Sequence, residues 1–339
     1  MKRRWMLCGI ALMVLGGARC DNAGRGNVLS IASLGIVKAL VYLDRNGNRV
    51  PDGADTAFAG VRVRLITTGT LDTAANVLSD SVGRVRLATV PVGTYTVALD
   101  TTTIGDSVRL VQISATQVAV EPGDSVTVTA TISFPIVSVR AARALPAGRK
   151  VFLQGVLLSP RVAFGDTTAH MADTSLAIRL TRMRSGPVGI GDSVRLLGVT
   201  STRDGQPTLD DAVVTPLGAG AGPLPAIVST LVARTANGGA LDAALVFVGN
   251  VTIVDTATVD GTNSPPFVPP NRDYRLMVDS TPADTSGRLE VLLDGHAGFS
   301  GGILTQFRPD STISVTGVLV PSGAGRWRLK PRILSDVVP

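Results

Sequence analysis

In Val61-Arg62-Val63-Arg64-Leu65 every second residue is apolar and the two between are Arg. A helix would scatter this pattern around its axis. A strand puts the three apolar side chains on one face and both guanidinium groups on the other, which suits a sheet with one dry side and one wet side. The alternation returns in Tyr95, Val97 and Leu99, and again in Val126, Val128, Ala130 and Ile132. Turn signals separate the runs: Thr68-Gly69, Val82-Gly83, Pro91-Val92-Gly93 and Glu121-Pro122-Gly123-Asp124. Composition agrees with strands. Glu occurs only at Glu121 and Glu290, and Lys only at Lys2, Lys38, Lys150 and Lys330, so the strongest charged helix formers are scarce.

The predicted fold class is all-β. Some seven short strands within residues 34–133 predict an antiparallel sandwich of immunoglobulin-like (prealbumin-like) type, closed by Phe134-Pro135, because Pro interrupts strand pairing. A weak internal repeat follows. Val151-Phe-Leu-Gln-Gly155-Val-Leu matches Leu245-Val-Phe-Val-Gly249-Asn-Val, and the Asp192-Ser193 strand with Gly198 matches the Asp310-Ser311 strand with Gly317. The second copy carries extra residues, largely 259–271 and 294–306. This divides the remainder into residues 136–218, a Gly/Pro linker at 219–225, and residues 226–338. Each copy resembles the small OB-fold modules of exported bacterial proteins, which implies two tandem OB-like β-barrels.

One stretch carries the pattern of a chemical site. In Val41-Tyr-Leu-Asp-Arg-Asn-Gly-Asn-Arg-Val-Pro-Asp-Gly-Ala-Asp55 the side-chain oxygens of Asp44, Asn46, Asn48, Asp52 and Asp55 fall at positions 1, 3, 5, 9 and 12 of a loop. The backbone carbonyl of Val50 falls at position 7. That is the spacing with which a 12-residue loop wraps Ca2+ in oxygen ligands. With the following GVRVRL, SDSVGRVRL and VPVGTYTVAL, the stretch resembles the B-type domains of serine-aspartate-repeat surface proteins and, more distantly, collagen-adhesin B domains. The resemblance covers residues 36–100. It implies a calcium site at Asp44, Asn46, Asn48, Val50 and Asp52. Two positions depart from the family pattern: Arg49 stands where Gly is usual, and Asp55 where Glu is usual. Gly permits the sharp turn at position 6 and Glu reaches the ion with both oxygens, so a weak site is expected.

The amino terminus predicts export. Lys2 to Arg4 precede an apolar run from Trp5 to Leu15, too short to span a bilayer, where about 20 residues are needed. Residues 1–20 read as a signal peptide and 21–33 as a tether. The end of the leader resembles that of a bacterial lipoprotein, which makes Cys20 a candidate for lipidation and gives the only expected membrane contact. A mature chain then holds no Cys beyond Cys20, hence no internal disulfide and no thiol-bound metal. The net charge of +6 includes Lys2, Arg3, Arg4 and Arg19 of the leader, leaving +2, too little to point to nucleic acid.

Catalytic patterns are poor. Gly298-Phe-Ser300-Gly-Gly302 satisfies G-x-S-x-G, but no His follows Ser300, and the pattern belongs on a strand–turn–helix of an α/β sheet. His170 and His296, the only His residues, lack ligand spacing and read as surface-loop residues. The Gly-Asp-Ser triplets at 105–107, 123–125 and 191–193 read as turns. A ligand face on the second barrel is suggested by Tyr274 and Trp327 with Arg275 and Arg328, joined by Phe267, Arg272 and Arg326. The expected protein is an exported, non-enzymatic, monomeric module of the cell envelope or surface, with a calcium-stabilised sandwich and a structural or adhesive role. Its surface ligand could be protein, glycan or nucleic acid. The alternative is an oligonucleotide- or glycan-binding protein acting through the barrels.

Overall fold

The computed structural model describes residues 33–184, 186–258, 265–266, 268–270, 272–280 and 287–339. The leader, Cys20 and Phe267 lie outside the described residues. The chain is all-β, and among the described residues no helix is long and apolar enough to cross a membrane.

Strands β1 (Leu34–Asp44), β2 (Thr56–Ala57), β3 (Arg62–Thr67), β4 (Thr73–Leu78), β5 (Arg84–Pro91), β6 (Gly93–Leu99), β7 (Arg109–Ile113), β8 (Gln117–Val120) and β9 (Ser125–Ser133) form a two-sheet sandwich. One sheet runs β2-β1-β9-β7 with β5 also on β1, and the other runs β4-β3-β6-β8. The alternation read from the sequence sets what faces inward. Val61, Val63 and Leu65 meet Val37, Val41, Val97, Val128 and Ile132 in one dry core. Arg62 and Arg64 turn outward, to Asn76 and Asp100. β1 pairs with β9 in parallel over Ile36–Asp44 and Ser125–Ser133, so the first and last strands of the sandwich are neighbours.

Next come α1 (Val139–Ala144), β10 (Lys150–Ser159), β11 (Ala169–Ala172), β12 (Ala177–Thr181), β13 (Asp192–Arg203) and β14 (Gln206–Ala219). These strands close into a barrel in the order β10-β11-β12-β14-β13. The second copy comprises β15 (Ala226–Ile227), α2 (Thr230–Thr235), β16 (Leu245–Thr258), β17 (Tyr274–Asp279), β18 (Leu289–Leu293), β19 (Thr312–Gly323), β20 (Arg326–Lys330) and β21 (Val337–Val338). Its order β16-β17-β18-β20-β19 closes through β16–β19, the same circuit as the first. In both barrels the third strand runs parallel to the fifth, as an OB-like barrel requires.

The repeat glycines sit where the barrel walls press together. A Cβ on Gly155 would lie 2.3 Å from the Ala172 carbonyl oxygen, and one on Gly317 would lie 2.6 Å from that of Lys330. The repeat also extends further upstream than the strand pattern suggests. Ser138 caps α1 by accepting from the Ala141 amide, and Ser229 caps α2 by accepting from the Val232 amide. Ala142 and Ala233, four residues on from each cap, are buried. Part of the longer second copy is structural: Phe299 and Leu304, within its extra 294–306 segment, are in the barrel core.

Two apolar seams join the three bodies. Phe134, Phe152 and Leu197, backed by Leu43 and Val108, seat the sandwich on the first barrel. Leu158, Phe164, Ala172 and Ala177 of the first barrel meet Ala243, Leu245 and Val318 of the second. Polar contacts reinforce the second seam. Arg143 of α1 donates to the carbonyls of Gly239 and Asp242, and Arg332 donates to the Leu158 carbonyl.

Candidate functional site

β1 delivers Asp44 into the 44–55 loop, and the loop folds on itself through its own acids and amides. The Asp44 carboxylate, buried to 1% exposure, accepts from the Gly47 amide at 2.6 Å and the Arg49 amide at 3.1 Å. Asn46 Oδ1 accepts from the Asn48 amide and Asn48 Oδ1 from the Val50 amide, two consecutive Asx turns. Asp55 closes the ring, accepting from the amides of Arg45 at 3.0 Å and Asp52 at 3.1 Å. At position 6 Arg49 has φ 62, the left-handed turn for which Gly is the usual residue.

The side-chain oxygens of the loop fit calcium by chemistry: carboxylates at three corners, amide carbonyls between them, no nitrogen or sulfur ligand. In this structure the amide nitrogens of Asn46 and Asn48 converge on Asp52 Oδ2, at 2.9 and 2.7 Å. Among the described residues no three of His, Cys, Asp and Glu are gathered as a metal-binding group. Both Asn side chains therefore have to turn their oxygens inward to admit an ion.

Electrostatics follow from that arrangement. Hydrogen bonds from the Ala54 amide and from Asn46 and Asn48 hold the Asp52 carboxyl below its ordinary value. Burial pushes Asp55 up, and the charges of Asp52 and Asp44 add to the rise. Tyr42, beneath the loop, is raised mainly by burial and further by the three Asp. The neighbouring field is negative, as a cation site needs.

A feature with no sequence signal lies on the far side of the loop. Arg195 of β13 donates from Nη1 to the Gly47 carbonyl, and Thr215 of β14 donates to the Asn46 carbonyl at 3.4 Å. The loop is thus clasped between the sandwich and the first barrel. Contacts across some 150 residues of chain leave no local pattern to read.

The ligand face expected on the second barrel requires correction. Tyr274 and Trp327 are core residues, 4% and 7% exposed, because they occupy the inward phase of β17 and β20. Trp327 donates from Nε1 to Asp242 at 2.7 Å, so its polar edge is used within the fold. Neither can stack on a base or sugar. Arg275 and Arg328 take the outward phase, and Arg328 is paired with Glu290 at 3.2 Å. His170 also departs from the surface-loop expectation. It lies in β11, fully buried, with Nδ1 2.8 Å from Ser159 Oγ. The Gly298–Gly302 segment puts Phe299 in the core and Ser300 before a 3-10 turn.

No family model and no curated protein matches the chain. Among solved structures it is similar to the minor pilin GBS52 of Streptococcus agalactiae, at 21% identity and a TM-score of 0.23, over 30% of this chain and 45% of that one, so less than half of that pilin is spanned. It is similar to the shaft pilin spaA of Lactobacillus rhamnosus GG, at 12% identity and a TM-score of 0.22, over 54% of this chain and 99% of that one. A murine DNA-binding protein bound to double-stranded DNA is similar at 10% identity and a TM-score of 0.23, over 47% of this chain and 98% of that one.

Proposed function

We propose that this chain is an exported, non-enzymatic module of the bacterial cell envelope or surface, with a structural or adhesive role, and that calcium in the 44–55 loop stiffens its first junction. The observation that carries the reading is the clasp: the one loop with calcium-type spacing is also where Arg195 and Thr215 tie the first barrel to the sandwich. Asp44, Asn46, Asn48, Asp52 and Asp55 would hold the ion with the Val50 carbonyl. A bound divalent cation offsets two of the three carboxylate charges. Mass action then stabilises the folded loop by about 2.7 kcal/mol when free calcium stands at 100 times its dissociation constant. Arg49 and Asp55 favour a weak site, in the ~10⁻⁴ to 10⁻³ M range of extracellular modules.

The test is thermal melting of the full chain with millimolar calcium, with magnesium and with chelator, alongside small-angle scattering. Calcium should raise the melting temperature and narrow the distribution of overall dimensions, and magnesium should do less because it holds its waters and demands octahedral geometry. Asp44→Ala should remove most of the calcium effect. Superimposable melts in all three conditions would reduce the loop to a polar turn. The oligonucleotide- or glycan-binding alternative loses the stacking platform of Tyr274 and Trp327, and no second observation restores it.

A further inference from the structure

A second polar site lies between the two barrels, well away from the 44–55 loop. A cleft of about 160 Å³ is bounded by Phe164, His170 and Arg179 from the first barrel and by Arg328 and Lys330 from the second. We propose that this cleft binds a small oxyanion of the phosphate or sulfate class, held jointly by donors from both barrels.

The argument begins with His170, 1% exposed. Its Nδ1 lies 2.8 Å from the hydroxyl of Ser159, which is itself fully buried. That hydroxyl has the ring nitrogen as its hydrogen-bond partner. In a dry interior its proton goes to the ring, so Nδ1 accepts and the ring proton sits on Nε2. Nε2 has no partner within the protein. A buried donor without an acceptor is rare in a folded chain and calls for an occupant.

The surroundings fit an anion. Arg179, Arg328 and Lys330 are each held from outside the cleft: Arg179 by Asp204 at 2.9 Å, Arg328 by Glu290 at 3.2 Å and Lys330 by Asp294 at 2.7 Å. These partners fix the cationic heads while leaving further N–H groups to donate, since a guanidinium carries five and an ammonium three. The Lys330 ammonium also rests 4.2 Å from the centre of the Phe164 ring. The one carboxylate on the wall, Asp166, is turned into its own loop, where it accepts from the Thr168 amide and hydroxyl at 2.8 and 2.6 Å. Burial, then the charges of Arg179 and Lys330, keep the His170 ring neutral, so its Nε2–H is offered as an uncharged donor among the paired cations. A neutral Nε2–H beside three anchored cations suits an oxyanion, which brings acceptor oxygens on several sides.

The test titrates the full chain with inorganic phosphate and with sulfate, against chloride at matched ionic strength and against acetate. Binding is followed by the imidazole nitrogen resonances. The chain has only two His residues, so His170 is readily assigned. Phosphate or sulfate should shift the His170 Nε2–H signal saturably and raise the melting temperature above the chloride control. Acetate acting as strongly would move the class to carboxylates and overturn the assignment. Lys330→Met should weaken binding by roughly tenfold or more, the fold-change of one charge-assisted hydrogen bond. Arg64→Gln, on the sandwich, should leave it unchanged. A His170 signal in the wild type that stays fixed through 10 mM phosphate, about ten times a millimolar dissociation constant, sinks the proposal whatever the variants do.

Discussion

Acid should loosen the first barrel through one residue, His170. Burial, with Arg179 and Lys330 adding to it, lowers its pKa from 6.5 to about 3. The groups that face the ring are Ser159, Phe164, Arg179 and Lys330. Between those two pH values the unfolded chain binds a proton at this site and the folded chain does not. Stability is therefore complete above pH 6.5 and declines as the pH falls through the window. At 1.36 kcal/mol per pH unit, the loss from pH 7 comes to about 2 kcal/mol at pH 5 and about 3 kcal/mol at pH 4. The pH 5 figure is insensitive to how far the folded pKa is lowered, because any value below about 4 leaves the folded ring neutral there. The assay is urea unfolding of the full chain by circular dichroism at pH 7, 6 and 5. With a denaturant slope of about 2 kcal/mol/M, the barrel transition should move down by roughly 1 M between pH 7 and pH 5. The sandwich contains no His and serves as an internal reference. His170→Phe or His170→Gln should lower stability at pH 7, by removing the Ser159 partner, and flatten the slope. A wild-type barrel transition level from pH 7 to pH 5, or a variant that falls as steeply, would refute the reasoning.

Three further perturbations test other parts of the structure. Arg49→Gly should stabilise the sandwich by about 0.5–1 kcal/mol, the left-handed cost of roughly 1–2 kcal/mol less the extra chain entropy of Gly, and should tighten calcium binding; denaturant midpoints and calcium titration read both. Arg195→Ala removes the donor to the Gly47 carbonyl, so scattering should show a wider range of sandwich–barrel angles, while the melt of the second barrel stays in place. Trp327→Phe leaves Asp242, whose second oxygen already lacks a partner, with neither carboxylate oxygen hydrogen-bonded, at a cost of about 2–3 kcal/mol in the urea midpoint. Burial holds the Asp242 pKa above 3.8, so its contribution falls as pH rises from 3.8 through the folded pKa, the opposite direction to His170, and the variant, by removing the hydrogen bond that lowers this pKa, should deepen that fall.

The strands were legible because period-two alternation survives in single residues: Val61, Val63 and Leu65 are dry, and Arg62 and Arg64 are wet. The all-β class follows from that pattern, and the two closed circuits of the barrels match the paired Gly155 and Gly249 strands. Two things resisted reading. The phase of Trp327 and Tyr274 was visible, but which side of a barrel strand faces inward is settled by closure, and Arg alternating with large residues is compatible with either face. Contacts between the bodies left no trace. His170 looks like an isolated surface His until the second barrel covers it, and Arg195 looks like any strand Arg until Gly47 is brought against it. The short helices were missed because six residues hold too few periods, although Ser138 and Ser229 with buried Ala142 and Ala233 repeat the same cap-and-core spacing.

The parallel pairing of β1 with β9 has a mechanical consequence. Parallel neighbours start at the same end of a sheet, so the chain enters the sandwich at Leu34 on one side and leaves at Ser133 on the other. Tension applied through the two ends pulls β1 and β9 past each other along their length. The hydrogen bonds from Ile36–Ser125 to Asp44–Ser133 are then loaded together, in shear, and none can open ahead of its neighbours as it would in a hairpin pulled from its open end. On the proposed envelope role, a domain held at its amino-terminal side and carrying two barrels beyond it would meet tension in that direction. The 44–55 loop continues straight from the end of β1, so whatever stiffens the loop also pins the strand that would have to slide.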